Sequence, residues 1–187
     1  MTDRLEIAML LRPARRDIRG KIVADSERHT VDFLVNGVSL SSATGAAQRD
    51  LWGRFSPDYA NCGNELARDE NERIAKTFSF ESPADIAEDR VALFVCPQCG
   101  DLGCGAITCR LSRHGETVRW SQFAYEDGFD DDQNDFERYS AIGPFEFATD
   151  EYLAAIANAA HAHCSPIVRE RPKAIGSVRR FITRLRE

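Results

Sequence analysis

Hydrophobic residues in the first forty positions fall in short runs that have the length and period of β-strands. Residues 5–12 form one such run, and residues 30–40 form a second in which apolar and polar side chains alternate. Asn36-Gly37 interrupts the second run with a pair that is typical of tight hairpin turns, because both residues tolerate positive φ angles. The pattern therefore predicts a strand followed by a β-hairpin.

Longer stretches with a period near 3.6 residues predict helices. Residues 65–78 combine charges with spaced apolar side chains, and Ser82-Pro83 has the composition of a second helix start, with that short helix ending near Asp89. Further along, Thr149 is predicted to cap a helix that has two acidic residues in its first turn. One stripe of this helix is expected to pack on a sheet: Tyr152, Leu153, Ile156, Ala159, Ala160 and His163.

The middle of the chain predicts a meander of antiparallel strands. Residues 91–95 are wholly apolar, as expected for a strand that is covered on both faces. Residues 106–112 and 117–125 follow as two further strands joined by a turn, and residues 145–147 form a short last strand. The segment between the first two strands of this meander is therefore the tip of a hairpin.

Length and composition agree with an α+β protein that has one hydrophobic core. The chain has 187 residues, of which 43% are hydrophobic, and we assign residues 1–165 to a single domain. Its sheet is expected to be mainly antiparallel and packed by two or three helices. Residues 166–187 are predicted to contain a basic amphipathic C-terminal helix, capped by Ser177, that packs on the domain or extends from it.

The charge of the chain limits its partners. A formal net charge of −6 argues against general binding to nucleic acids or anionic membranes, which needs a dominant basic surface. Residues 126–151 are strongly acidic, whereas residues 165–187 carry seven basic and two acidic side chains. The first residues lack the layout of a signal peptide and no apolar run reaches membrane-spanning length, so we expect a cytoplasmic protein. Cysteines stay reduced in that compartment.

Four of the six cysteines lie within the fourteen residues that form the predicted hairpin tip. They are spaced as Cys-x2-Cys-x4-Cys-x4-Cys, with glycines beside them that allow tight turns. Four thiolates surround Zn²⁺ tetrahedrally in closed structural sites, which stabilise a fold and leave no open position for catalysis. The sequence therefore predicts a structural zinc site with four ligands: Cys96, Cys99, Cys104 and Cys109.

The spacing resembles the retroviral-type zinc knuckle, Cys-x2-Cys-x4-His-x4-Cys, with Cys104 in the position of the histidine. Knuckles that bind single-stranded nucleic acid use basic and aromatic residues within the module. The residues between Cys96 and Cys109 include no such side chain. The resemblance therefore supports a metal site and gives no support to nucleic-acid binding.

A wider resemblance covers roughly residues 90–160. Residues 91–106 contain Cys-Pro-x-Cys-Gly-Asp-Leu-Gly-Cys-Gly, followed by Val-Arg-Trp at 118–120 and Gly-Pro-Phe-Glu-Phe at 143–147. Together these segments are similar to an uncharacterised family of small bacterial proteins, some of which carry oxidoreductase labels. The resemblance implies no established activity, and Cys109 lies outside the ten-residue motif.

Several alternatives to the four-thiolate site stay open. Three thiolates can be joined by a distant ligand, for which the candidates are Cys62, His161, His163 and Cys164. Without a metal, the segment is a tight glycine-rich hairpin whose reduced cysteines pack as small apolar groups. A redox role would use Cys96 and Cys99 as a dithiol couple, but such couples usually open a helix, and here a strand is predicted to follow.

The chain contains no recognisable catalytic motif, since a nucleotide fingerprint, a phosphate loop, a metalloprotease helix and a nucleophile elbow are all missing. The leading interpretation is a non-catalytic bacterial protein-binding module of the inhibitor or immunity type, whose acidic surface meets a basic protein partner. A thiol-dependent oxidoreductase is the second class. The third is a protein that binds RNA or an acidic partner through its basic C-terminal helix.

Overall fold

The computed structural model of the chain describes residues 2–13, 28–56, 64–97, 99–127 and 135–162, with the backbone alone at 64–68. The predicted basic helix within residues 166–187 lies outside these ranges. So do three of the distant ligand candidates, Cys62, His163 and Cys164. No helix in the described ranges is both long enough and apolar enough to cross a membrane.

The described chain alternates strands with short helices, and it confirms the α+β class. In chain order the elements are β1 Leu5–Arg12, β2 Arg28–Val35, β3 Val38–Ser39, α1 Leu40–Thr44, β4 Trp52–Gly53, α2 Asn64–Phe78, β5 Arg90–Val95, β6 Ala106–His114, β7 Thr117–Glu126, α3 Phe136–Tyr139, β8 Phe145–Ala148 and α4 Thr149–Ala160. Two 3₁₀ helices, Ala46–Arg49 and Leu102–Cys104, lie between them. The predicted strands, the hairpin at Asn36-Gly37 and the helix over 65–78 are thereby confirmed.

The strands form two antiparallel sheets that meet at two seams. One sheet has the order β1-β2-β3 and the other has the order β4-β5-β6-β7-β8. At one seam the backbone of Asp3 bridges to Phe147 of β8, and its amide donates a hydrogen bond of 2.6 Å to the carbonyl of Glu146. At the other seam the amide of Val31 in β2 donates to the carbonyl of Phe55, just after β4, at 2.8 Å. The two sheets therefore form a ring.

The ring encloses an aromatic core that also contacts the helices. Phe33 of β2 and Trp120 of β7 meet edge to face with their ring centroids 5.2 Å apart, so the two sheets share one core. The Tyr152 hydroxyl of α4 donates to the carbonyl of Phe78, the last residue of α2, at 3.0 Å. Trp120 Nε1 in turn donates to the Tyr152 hydroxyl at 3.4 Å. Helices α2 and α4 are thus attached to each other and to β7 through one buried chain of contacts.

The prediction of a short helix from Ser82-Pro83 to Asp89 is wrong. The segment is irregular and ends in a tight turn, where Ile86 forms an isolated bridge with Arg90. Glu88 and Asp89 have φ angles of 59° and 58°, which a right-handed helix does not allow. A buried ion pair between Asp85 and Arg54 supplies the tertiary contact that outweighs the local preference for a helix.

The predicted capping role of Thr149 is also wrong, although the helix itself is confirmed. Thr149 is the first residue of α4, the N-cap position belongs to Ala148, and no side-chain cap is present. The two acidic first-turn residues, Asp150 and Glu151, are where the sequence places them. The Thr149 amide is instead satisfied by the carbonyl of Glu116 at 2.9 Å, which ties the helix start to the β6–β7 turn.

Candidate metal centre

The cysteine-rich segment is the connection between β5 and β6, as predicted. Val95, the last residue of β5, pairs with Ala106, the first residue of β6, so the connection leaves and re-enters the sheet at one place. Cys96 follows β5 directly and Cys104 ends the 3₁₀ helix Leu102–Cys104. We call residues 96–105 the cysteine tip.

Local hydrogen bonds fold the cysteine tip back on itself. The Gly100 amide donates to the carbonyl of Cys96 at 2.9 Å, in a turn where Gly100 has a φ angle of 68°. The Asp101 carboxylate then accepts from the amide of Gly103 at 2.8 Å and caps the 3₁₀ helix that follows. These two turns bring Cys104 back towards Cys96.

Three contacts attach the cysteine tip to the body of the protein. The Arg28 guanidinium of β2 donates to the carbonyl of Pro97, and the Arg28 side chain is itself buried. Leu102 packs on a small apolar cluster that includes Val95. A Cβ atom at Gly105 would overlap the hydroxyl of Tyr125, so only glycine allows this close approach.

The sulfur atoms of Cys96, Cys99 and Cys104 converge at the centre of the cysteine tip. All three lie within 4.8 Å of one another, and the sulfurs of Cys99 and Cys104 are 3.5 Å apart. A tetrahedral Zn²⁺ with bonds of about 2.3 Å to sulfur separates its ligand atoms by about 3.8 Å. The observed separations fit that requirement, so these three cysteines can hold one metal ion.

Electrostatics oppose the close approach of three thiolates. The hydrogen bond to Cys99, followed by the charges of Cys96 and Cys99, raises the pKa of Cys104 to about 11. Cys99 and Cys104 are exposed and Cys96 is half-buried, so the centre opens towards solvent. A bound cation would offset the repulsion between the sulfurs.

Cys109 is set apart from the other three predicted ligands. Its side chain is 0% exposed and belongs to the main core, and burial raises the pKa of its thiol. Strand alternation is the physical reason, because Ile107, Cys109 and Leu111 occupy every second position of β6 and face the core together. That alternation is visible in the sequence and would have separated Cys109 from the tip.

No distant ligand candidate among the described residues lies with the three sulfur atoms. His161 follows α4, where a ring nitrogen lies 2.8 Å from the carbonyl oxygen of Ala157 and satisfies the helix end. The predicted Cys96–Cys99 redox couple does not open an α-helix, because only the three-residue 3₁₀ helix follows it. The anchoring role of Arg28 went unpredicted, since it lies 69 positions from Pro97 and has no local signal.

No family model, curated protein or solved structure matches the chain. The resemblance of residues 90–160 to an uncharacterised bacterial family therefore stays a prediction.

Proposed function

We propose that this chain is a non-catalytic binding protein in which Cys96, Cys99 and Cys104 hold one structural Zn²⁺ at the cysteine tip. The observation that carries the proposal is the convergence of the three sulfur atoms within 4.8 Å of one another. Thiolates are soft ligands, and zinc is a metal that such ligands select. Zn²⁺ takes four protein ligands in structural sites, so one of the predicted distant ligands completes the shell in this proposal.

The role of the metal in this proposal is to hold the shape of the tip. The ligands stand at three points along residues 96–104, and one ion bonded to all three fixes the turns between them. The tip has few apolar contacts of its own, chiefly those of Leu102, which makes metal binding its main source of stability. A fixed and exposed tip is suited to contact another molecule.

We further propose that the other molecule is a protein with a basic surface. The support for this class of partner is the net charge of −6 of the chain, which favours association with a positively charged surface. Such association weakens as salt screens the charges. A partner whose binding strengthens with salt would argue against this part of the proposal.

The metal proposal is tested by elemental analysis of the full chain after removal of metal and reconstitution with Zn²⁺. We expect about one zinc per wild-type chain. The variants Cys99→Ser and Cys104→Ser are expected to retain at least tenfold less zinc after passage over a weak chelator, because each loses one of three thiolates.

Cys109→Ala is the matched control, since it removes a cysteine of the same hairpin that faces the core. It is expected to bind zinc as the wild-type chain does. A wild-type chain that takes up no zinc would reject the proposal. Loss of zinc from folded Cys109→Ala would instead support the predicted four-thiolate site, in which Cys109 is a ligand.

A further inference from the structure

We infer that the cysteine tip is also a redox modification site, in which a hydroperoxide joins Cys99 and Cys104 in a disulfide and so releases the metal. The release of metal rests on the proposed zinc site, whereas the pairing of the two cysteines does not. The pair also differs from the Cys96–Cys99 couple that the sequence suggests.

The sulfur atoms of Cys99 and Cys104 are close enough to pair. The sulfur atoms of Cys99 and Cys104 lie 3.5 Å apart, and a disulfide bond needs about 2.05 Å, so they have to approach by roughly 1.5 Å. Both side chains are exposed, which gives a small oxidant direct access to either sulfur. Cys109 has neither property, because it is fully buried in the core.

Backbone flexibility favours the same pair over either pairing with Cys96. Cys96 is half-buried, follows β5 directly, and its carbonyl accepts the hydrogen bond from Gly100. The next residue, Pro97, is held by Arg28. Cys99 and Cys104 instead lie on either side of a short turn that contains Gly100 and Gly103. That turn can absorb the approach of the two sulfurs without moving the strands.

The reaction balances with one hydroperoxide as the oxidant. The first thiolate attacks the terminal oxygen of the peroxide, so that a sulfur–oxygen bond forms, the oxygen–oxygen bond breaks, and hydroxide or alkoxide leaves and takes up a proton. The second thiolate then attacks the sulfenic sulfur and displaces hydroxide, which leaves as water after taking up a proton. Two thiols and one hydrogen peroxide thus give one disulfide and two waters.

Metal release follows from the loss of ligands. A disulfide sulfur is no longer a thiolate, so oxidation removes two of the three proposed thiolate ligands and leaves Cys96 as the remaining one. Because metal binding is coupled to the fold of the tip, the tip loses its fixed shape when the ion leaves. Reduction by a dithiol restores both thiolates, and zinc can bind again.

The experiment treats the zinc-loaded full chain with hydrogen peroxide and follows two signals over time. Released zinc is measured with a chromogenic chelator. The disulfide is measured by mass spectrometry after blocking free thiols and digesting with a protease that cleaves before aspartate. Such cleavage before Asp101 separates residues 89–100, which hold Cys96 and Cys99, from residues 101–126, which hold Cys104 and Cys109.

We expect the two fragments to become linked at the same rate at which zinc is released, and dithiothreitol to reverse both changes. Cys96→Ser keeps the two reacting sulfurs and should still link the fragments. Cys99→Ser and Cys104→Ser should link them at least tenfold more slowly than the wild-type chain. Cys109→Ala should behave as the wild-type chain does.

Two results would overturn the inference. One is a disulfide confined to residues 89–100, which would identify Cys96 and Cys99 as the couple. The other is zinc release with no disulfide at all. If the chain never takes up zinc, the proposed function and the metal-release part fail together. Linkage of the two fragments that persists in Cys96→Ser and is lost in Cys99→Ser still decides whether Cys99 and Cys104 pair.

Discussion

Asp32 is a carboxyl group placed in the core with neutral hydrogen-bond partners. It is 2% exposed, and it accepts hydrogen bonds from the Ser39 hydroxyl at 2.5 Å and from the Ser41 amide at 3.0 Å. Burial raises the pKa of Asp32 from 3.8 to about 6, against the opposing effect of these hydrogen bonds. The folded protein therefore binds the Asp32 proton more tightly than the unfolded chain does.

This difference predicts a pH dependence of stability. The contribution of Asp32 to the free energy of unfolding should be fully present below about pH 4 and should be lost, by about 3 kcal/mol, as the pH rises through about 6, because protonation at Asp32 then no longer favours the folded state. Urea unfolding of the wild-type chain and of Asp32→Asn between pH 4 and pH 7 checks this. The difference between the two proteins isolates Asp32 from other titrating groups, and equal pH slopes would contradict the prediction.

Gly53 occupies a position at which any side chain would clash with the neighbouring strand. A Cβ atom there would overlap the carbonyl oxygen of Val31 and lie 2.8 Å from its carbonyl carbon, and both belong to the backbone of β2 at one seam of the ring. Gly53→Ala should therefore lower the free energy of unfolding by about 3 kcal/mol or more.

Gly115→Ala is the matched control for Gly53→Ala. Gly115 has a φ angle of 60° and open space where a Cβ would lie, so alanine should cost only about 1 kcal/mol of backbone strain. Chemical denaturation of both variants gives the comparison. Equal losses of unfolding free energy in the two variants would mean that the close contact with Val31 does not exclude a side chain at position 53.

The irregular segment between α2 and β5 carries Asp85, which pairs closely with Arg54 and, at 3.9 Å, with Arg73 of α2. Arg54 and Asp85 are 3.0 Å apart, with side chains 8% and 12% exposed. Asp85→Ala would leave a buried guanidinium without this carboxylate, and we expect a loss of about 3 kcal/mol in the free energy of unfolding.

The pair Glu70–Arg73 on α2 provides the comparison, since its side chains are 36% and 55% exposed at a distance of 2.7 Å. Glu70→Ala should cost less than about 0.5 kcal/mol, because solvent screens an exposed ion pair. Thermal unfolding of both variants at two salt concentrations measures the difference. A loss at Asp85 as small as that at Glu70 would show that the buried pair does not hold the segment.

Elements with a clear period could be predicted from the sequence, and elements fixed by tertiary contacts could not. Strand β5 was predictable as a wholly apolar run of strand length, and β6 and β7 as the strands of a meander that follows it. Residues 41–56 gave no usable pattern, since α1, the 3₁₀ helix Ala46–Arg49 and the two-residue strand β4 are each too short to show one.

The cysteine cluster was predictable to the same extent. Local spacing identified Cys96, Cys99 and Cys104, while the exclusion of Cys109 depends on the direction in which β6 faces the core. The contact of Arg28 with Pro97 comes from another sheet and has no counterpart in local sequence. Spacing along the chain thus finds candidate ligands on one turn, and it does not find the residues that anchor that turn.

At the scale of the molecule, the shared aromatic core predicts one cooperative transition. Phe33 of the three-stranded sheet contacts both Trp120 of the five-stranded sheet and Phe78 of α2, so neither sheet can unfold without exposing the core of the other. In a Trp52→Phe background, Trp120 fluorescence and far-ultraviolet circular dichroism should therefore give the same urea midpoint. Separate midpoints would show that the sheets unfold independently.

The seam at Asp3 has a consequence for folding of the protein during its synthesis on the ribosome. The Asp3 carboxylate accepts a hydrogen bond from the amide of Glu146, 143 positions further along the chain, at 2.8 Å. β1 can pair with β2 early in synthesis, but its outer edge has to wait for β8 to leave the exit tunnel. Translation speed before β8 thus sets how long that edge is open to strands of neighbouring nascent chains.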